Sequence, residues 1–504
     1  MNKNNIKFII LAVISIIMFS IALSPVTLQN DTFYTIKLGE HILKEGMTPI
    51  DSFTWHEEIP YTYPHWLYDV LIYLIYNAGG YLGIYISTIV FSCMLGLVLF
   101  YSNSKLTKNY LTSFVITIGA MYLMKEYIAA RAQLITFILF VITLFCIEMF
   151  LTSRKKRYAL SLILISFIIT NMHAAVWPFF FILFLPYIGE YIWCVLDQTI
   201  KKNREKREKL RENPYKLQAE KTDATKWLFL IIAICLVLAL FTSFGDNPYT
   251  HLYKLTKGNS TASINEHMPT VLINQAGLLC VIIMFLGILI CTDTKIRLRD
   301  LLMLGGLLLL TLISKRQMSM LVLIGSFILN RLICNFLDKY DPDGTNKATG
   351  YITTWVGEII VLVIITYMSF VFIRPKLKDE FVNTKSYPVE ATKFIKENLD
   401  VDNIRLYNEY NYGSYLLLND VKVFIDSRCD LYTKEFNGKE DIFSDFIDVS
   451  NINKHYEEIF KKYDFTHVMM YKNAKLNLFI KRDKNYKEIY EDTNFVIYER
   501  NISN

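Results

Sequence analysis

The strongest restriction on this chain is a succession of apolar runs, each about 15 to 25 residues long, the length a helix needs to cross a bilayer. They recur through the first three quarters of the sequence, approximately at 6–28, 81–101, 108–124, 133–152, 158–171, 176–197, 227–244, 271–291, 299–313, 318–335 and 351–373. A chain that is 53% hydrophobic, with a mean hydropathy of +0.29, is not an ordinary soluble domain. The expected class is an α-helical polytopic membrane protein with about eleven transmembrane helices. The first run is longer than the apolar segment of a usual signal peptide, and no small-x-small cleavage pattern follows it. It is expected to remain as a membrane helix.

Between the first run and the rest lies a polar stretch, Asn30 to Asp69, far longer than a connector between two membrane helices requires. It holds Asp31, His41, Asp51, His56, Glu57, Glu58, His65 and Asp69 among Trp55, Trp66 and several tyrosines. The segment Trp66–Tyr76 is apolar but too short to cross, and Asn77-Ala78-Gly79-Gly80 interrupts it, so it reads as a re-entrant or interfacial piece.

Lysine and arginine placement sets the orientation. With the N-terminus in the cytoplasm, Lys105, Lys108, Arg154–Arg157, the stretch Lys201–Lys226, Lys295, Arg297 and Arg299 all fall inside. Lys201–Lys226, with alternating acids and bases, reads as a cytoplasmic surface helix. The same count sends 30–69, 125–132, 172–175, 245–270, 314–317 and everything after Ile373 to the outer face. That outer set carries Lys125, Glu126, Arg131, Gln133, Asn171, His173, Asp246, His251, Glu266, His267, Lys315, Arg316 and Gln317, whereas the helix interiors read as nearly free of charge. The net charge of +6 belongs to this orientation pattern, and no motif for DNA or RNA is present. Seven cysteines lie in or at the ends of apolar runs, only Cys429 falls in the tail, and no spacing suggests a disulfide or a zinc site.

The chain therefore divides into a membrane domain, 1–373, with its large first outer loop 30–69, and a C-terminal extracytoplasmic α/β domain, 374–504. In the tail, Pro388–Leu399 reads as a helix, Ile404–Tyr407 as a strand and Asn411–Ser414 as a turn. Val421–Asp426 reads as a buried strand and Ile452–Tyr463 as an amphipathic helix. Thr466–Met470, Asn477–Ile480 and Phe495–Tyr498 read as further strands.

The outer set contains the residue types of a transfer site. Asp31 is the first acid after the membrane and suits a general base toward a hydroxyl, or a cation ligand. Arg131 and Arg316, at helix ends, suit a phosphate, because guanidinium is permanently charged and grips oxyanions with two prongs. His65 and His173 can donate to a phosphate or to sugar hydroxyls, and Trp55, Trp66 and Trp177 offer flat faces for sugar rings. Asp426 and Arg428, following the buried strand of the tail, suit either acceptor binding or mutual pairing across a turn.

These residues fall in a recognisable series: Asp31-Thr32-Phe33-Tyr34, Gly39-Glu40-His41-Ile42-Leu43, Asp51-Ser52-Phe53-Thr54, then His65-Trp66-Leu67. Arg131-Ala132-Gln133, Asn171-Met172-His173-Ala174 and Ile264-Asn265-Glu266 follow, and the tail adds Asn411–Leu416 and Phe424–Tyr432. The series resembles a group of multi-pass bacterial membrane proteins related to the GT-C glycosyltransferases. The resemblance implies a GT-C-like fold and transfer of a sugar, hexosyl or pentosyl, from a polyprenyl-phosphate donor to an envelope glycan, lipid or protein. It places the catalytic acid at Asp31 and substrate contacts at His65, Trp66, Arg131, Gln133, Asn171, His173, Glu266, Arg316, Asp426 and Arg428. Several GT-C enzymes carry paired acids where this chain has Asp31 after Asn30, so a divalent cation, Mg or Mn, stays an open expectation. The implied partners are the lipid bilayer, the polyprenyl-phosphate-linked sugar and the envelope acceptor. A transporter or flippase for a lipid-linked or anionic glycan, and a non-catalytic envelope assembly protein, are the competing classes.

Overall fold

The computed structural model describes residues 3–204, 217–257 and 264–501. Each of the eleven apolar runs is helical, but the helices differ in length. Among the described residues, six are long and apolar enough to cross a membrane: Lys3–Leu23, Trp66–Thr107, Ala132–Ser153, Ala174–Thr199, Lys315–Tyr340 and Trp355–Lys378. Three are apolar but short, Tyr110–Leu123, Thr225–Leu238 and Ala276–Cys291. Lys156–Met172 and Leu298–Ile313 are also short and carry charge in their first turns. Residues 205–216 of the expected surface helix lie outside the described residues. Of its flanks, the helix Leu185–Arg204 covers the start, and Leu217–Gln218 pairs in parallel with Ile296–Arg297.

The chain clusters into two compact units that are not contiguous in sequence. Unit 1 comprises Met1–Ser24, Ile86–Gly245 and Asn265–Leu377, and unit 2 comprises Pro25–Tyr85, Asp246–Ile264 and Lys378–Asn504. The first outer loop and the tail thus fall in one compact unit.

Unit 1 is helix on helix. Phe8, Ala12 and Ile16 of the first helix pack against Phe100, Phe114 and Ile365. At Gly96 an added Cβ would stand 2.7 Å from Ile16 Cγ2, so the small residue permits this close approach. The last helix, Trp355–Ile373, leaves Val356, Ile360, Val363 and Tyr367 exposed, as a surface solvated by lipid requires. Just beyond it, Lys376 Nζ donates to the carbonyls of Ala22, Leu23 and Ser24 at 2.7, 2.8 and 3.0 Å, capping the C-terminus of the first helix. The helix interiors are not free of charge. Glu148 of Ala132–Ser153 and Arg331 of Met318–Tyr340 meet Arg297 and Asp300 in a buried ion network. Four charges spread over three helices are invisible to a reading that takes one helix at a time.

Unit 2 is built on a four-stranded sheet in the order Leu406–Tyr407, His467–Tyr471, Phe495–Arg500, Tyr486–Glu491. The first pair is parallel and the other two antiparallel. The tail helix Val389–Asn398 and the strands at 467–471 and 495–500 lie where the periodicity predicts. Three expectations fail. Asn411–Ser414 is not a turn but part of the helix Tyr410–Leu418, anchored by Tyr412 donating to the carbonyl of Met469. Val421–Asp426 is extended and buried but joins no sheet. Its backbone bonds instead to Phe53 of the first loop and to the Asn408 side chain. Asn477–Ile480 is a short helix, and the edge strand is Tyr486–Glu491.

The polar stretch begins as a helix, Asn30–Glu45, whose buried face carries Phe33, Tyr34, Ile36 and Leu38. Gly39 lets it pass against the next helix: a Cβ there would stand 2.1 Å from the carbonyl oxygen of Asp69. The expected interruption after Tyr76 narrows to one residue, Gly80, whose φ of +57° breaks the helix Trp66–Thr107.

Candidate active site

In unit 2, Asp31 occupies the first turn of Asn30–Glu45, where the helix dipole favours an anion. The turn is secured by Thr32 N–H donating to Gln29 O and by Asn30 Nδ2 donating to Tyr410 O at 2.8 Å. One turn apart, His65 and Asp69 open the following helix, and the His65 ring donates from Nδ1 to Asp69 Oδ1 at 2.8 Å. The other ring nitrogen, Nε2, shares a hydrogen bond of 3.1 Å with the Tyr34 hydroxyl. Asp69 is fully enclosed, at 0% exposure. Burial disfavours a charged His65, but the Asp69 carboxylate outweighs it and Asp31 adds to the effect, so the pKa of His65 is raised. Asp31 and His65, both expected from sequence, are therefore electrostatic neighbours. Tyr34 and Asp69 were not expected. The available signal was the four-residue spacing of His65 and Asp69, which stacks them on one helix face.

A second imidazole joins this group. His251, on the helix Asn247–Lys257, is 4% exposed and lies 3.7 Å from Asp430. Burial lowers its pKa, Asp430 opposes that, and the charge of His65 lowers it further. Among the described residues neither ring nitrogen of His251 has a hydrogen-bond partner.

Asp426 and Arg428 sit in the interior of the same unit. Arg428 pairs with Asp426 at 2.7 Å and with Asp51, while Tyr432 donates to Asp426 at 2.6 Å. The guanidinium also lies over the rings of Tyr61 and Phe53, at 5.1 and 5.5 Å. This clasp fastens the first loop to the tail. Trp55 is likewise part of the core, donating to Leu406 O and stacking on Phe424. Trp66 is half-buried at the start of its helix.

Unit 1 holds the other expected residues. Arg131 precedes the helix Ala132–Ser153 and pairs with Glu266 at 3.1 Å. Burial raises the pKa of Glu266, but Arg131 and then Arg316 outweigh it and hold the carboxyl below its ordinary value. Ser314 Oγ donates to Glu266 O and Lys315 N–H to Met268 O, which joins the two connectors. Arg131, Glu266 and Arg316 are thus brought together. Gln133 is half-buried in the first turn of the same helix. His173 is buried and shares a hydrogen bond of 3.2 Å with Thr136, while Asn171 is buried and donates to Phe167 O. Trp177 is enclosed, its indole N–H donating to Ser166.

A divalent cation would need several carboxylate or imidazole donors converging on one point. Among the described residues no group of three or more His, Cys, Asp or Glu is so placed.

No protein-family model matches the chain, and no curated protein matches it. Among solved structures it is similar to an oligosaccharyltransferase of Archaeoglobus fulgidus, solved with a tethered acceptor peptide containing an NVT sequon. The TM-score is 0.57 at 10% identity, covering 98% of this chain and 74% of that one. The likeness is one of fold: a multi-pass helical membrane protein of GT-C-like architecture, with six long apolar helices and a C-terminal mixed sheet.

Proposed function

We propose that this chain is a membrane glycosyltransferase that moves a sugar from a polyprenyl-phosphate donor to an envelope glycan, lipid or protein on the outer face of the membrane. The GT-C-like fold supports the class. The observation that carries the reading is the acid–imidazole group of unit 2, in which Asp31 neighbours a His65 held by Asp69. Asp31 takes the proton of the acceptor hydroxyl as its oxygen attacks the anomeric carbon. The bond from that carbon to the phosphate oxygen breaks, and its electron pair stays on the phosphate, next to the His65 imidazole, whose protonated form the Asp69 carboxylate favours. No step is routed through a metal ion.

In this reading the N-terminus is cytoplasmic and the whole of unit 2 extracytoplasmic, which reporter fusions after residues 45, 155 and 504 would check. The direct test is Asp31→Asn, which is expected to leave insertion and folding intact and to abolish sugar transfer in membranes supplied with a polyprenyl-phosphate sugar. Mass spectrometry of envelope glycans with and without the protein identifies the product. Full activity of Asp31→Asn removes Asp31 as the base.

The buried ions of unit 1 favour a second reading, transport of a lipid-linked or anionic glycan, because intramembrane charges commonly mark substrate paths. In that case reconstituted vesicles would take up labelled substrate with no covalent product.

A further inference from the structure

The helix Ala132–Ser153 of unit 1 is enclosed over most of its surface, yet one line of its residues stays half-open. Ile135, Leu139, Ile142, Phe145 and Met149 are half-buried and Thr152 is exposed, while every residue between them is buried. Steps of three or four residues put all six on one face of the helix. Two neighbouring helices meet the middle of this line. Tyr101, on Trp66–Thr107, stands 5.7 Å from Phe145 between ring centroids, and Tyr158, on Lys156–Met172, stands 6.3 Å from the same ring. The line is therefore the floor of an apolar groove with a helix on each side.

The groove ends among cations. Past Thr152 the chain turns through Arg154, Lys155, Lys156 and Arg157, all exposed, and Lys105 stands exposed one turn beyond Tyr101. Arg157 is held in place, its guanidinium 4.8 Å over the Tyr158 ring and its Nη2 donating to the Tyr158 hydroxyl at 2.9 Å. Arg154 occupies the left-handed cap of Ala132–Ser153, with φ +55°, a position that glycine fills without strain. No acid lies within 98–110 or 149–160, and the nearest one in sequence, Glu148, is engaged by Arg297 and Arg331.

We propose that this groove binds an anionic phospholipid, with one acyl chain along 135–149 and the phosphodiester among Lys105 and the cations at 154–157. Two features converge on that ligand. A water-soluble anion would leave the apolar floor unused, and a zwitterionic lipid would leave the five cations without a net partner. A phosphodiester presents free oxygens that a guanidinium grips with two bonds, while lysines add charge without fixed geometry. Basic residues at a membrane surface attract anionic lipids in general. The groove and the anchored Arg157 turn that attraction into a site for one molecule. Arg131 precedes the same helix at its other end, about 33 Å away along 22 residues. The site is thus separate from the residues assigned to sugar transfer and does not rest on that reading. In the orientation set by the lysine and arginine count, the lipid belongs to the cytoplasmic leaflet. Bound there, it joins three helices at one end of unit 1.

The test is native mass spectrometry of the full-length protein, stripped of lipid in detergent and then given phosphatidylglycerol or phosphatidylcholine with the same acyl chains. The parent should bind the first about tenfold more tightly or better. Replacing four cations together, Lys105→Gln, Lys155→Gln, Lys156→Gln and Arg157→Gln, should bring phosphatidylglycerol down to the level of phosphatidylcholine. Met149→Trp fills the groove with no change of charge and should weaken phosphatidylglycerol roughly tenfold. Arg157→Lys keeps the charge but loses the ring stacking and the two-pronged grip, and should weaken it several-fold. If the fourfold variant does not insert, having lost charges that orient it, the two single variants carry the test. Equal affinity of the parent for both lipids, or parent-level phosphatidylglycerol binding by any of the three variants, overturns the site. Displacement of the lipid by glycerol 3-phosphate identifies a free phosphate as the ligand and overturns the lipid.

Discussion

Removing the Arg428 guanidinium should be among the most damaging single changes in unit 2. Arg428 is 6% exposed, and its partners Asp51 and Asp426 are 5% and 0% exposed. Arg428→Met keeps most of the side-chain length, but it removes the guanidinium from over Tyr61 and Phe53 and leaves two enclosed carboxylates without a cation. Breaking a buried ion pair by deleting one partner costs about 3–5 kcal/mol, because the remaining charge keeps its desolvation penalty and loses its compensation. With two carboxylates stranded, the upper half of that range applies. For a unit of this size roughly 2–4 °C of Tm is lost per kcal/mol, so the apparent Tm should drop by about 8–20 °C. The assay is thermal unfolding of the full chain in detergent, followed by near-ultraviolet dichroism and by protease cleavage of the tail. The triple variant Asp51→Asn, Asp426→Asn, Arg428→Met should regain most of the loss, since neutralising the whole group removes the stranded charges. A drop of less than about 2 °C for Arg428→Met, or a triple variant no better than the single one, refutes this electrostatic account.

Four further outcomes follow from burial and packing. Burial raises the Glu409 carboxyl of unit 2 to about 7, so the folded state keeps a proton that the unfolded chain releases near 4.5. The stability it contributes below pH 4.5 is lost as the pH rises to about 7, and Glu409→Gln should abolish that decline, worth up to about 3 kcal/mol by urea titration at several pH values. Burial holds the His56 imidazole down at about 4, so its contribution is present above pH 6.5 and lost as the pH falls to about 4. His56→Gln should flatten that acid limb, and between the two limits the single variants should shift the profile in opposite directions. In unit 1, Glu148→Leu leaves two buried guanidiniums, Arg297 and Arg331, sharing the one carboxylate of Asp300 and should cost about 3–5 kcal/mol, read as lost expression and faster thermal aggregation. Gly39→Ala drives a methyl group into the carbonyl of Asp69, an overpacking penalty of about 1–3 kcal/mol, and should also lower the His65 midpoint by displacing Asp69.

The membrane class, the helical runs, the helix at 389–398 and the strands at 467–471 and 495–500 could all be read from periodicity, because each is decided by residues near one another in sequence. Asp31, His65 and the trio Arg131, Glu266 and Arg316 could be singled out by chemical type and by position at helix ends. What was not readable depends on contacts distant in sequence. Val421–Asp426 has the composition of a sheet strand, yet its backbone is satisfied by Phe53 and Asn408, some 370 and 15 residues away by roughly counting along the chain. Asp69 looks like one more acid in an acidic loop until helical spacing brings it onto His65. Asp426 and Arg428 left pairing and binding open, and only Asp51, far upstream, shows how both charges are satisfied.

The cap at Lys376 has a consequence for how this protein is made. The helix Lys3–Leu23 leaves the ribosome long before residue 376, and the carbonyls of Ala22, Leu23 and Ser24 at its end stay without their final donor until that residue has been synthesised. At about 5–20 residues per second the first helix waits tens of seconds for its last turn to be finished. Ribosome-bound chains arrested before residue 376 should show a frayed end there, and release of the full chain should close it. Completion of the bundle is thus tied to the arrival of the same stretch of chain that leads into the tail.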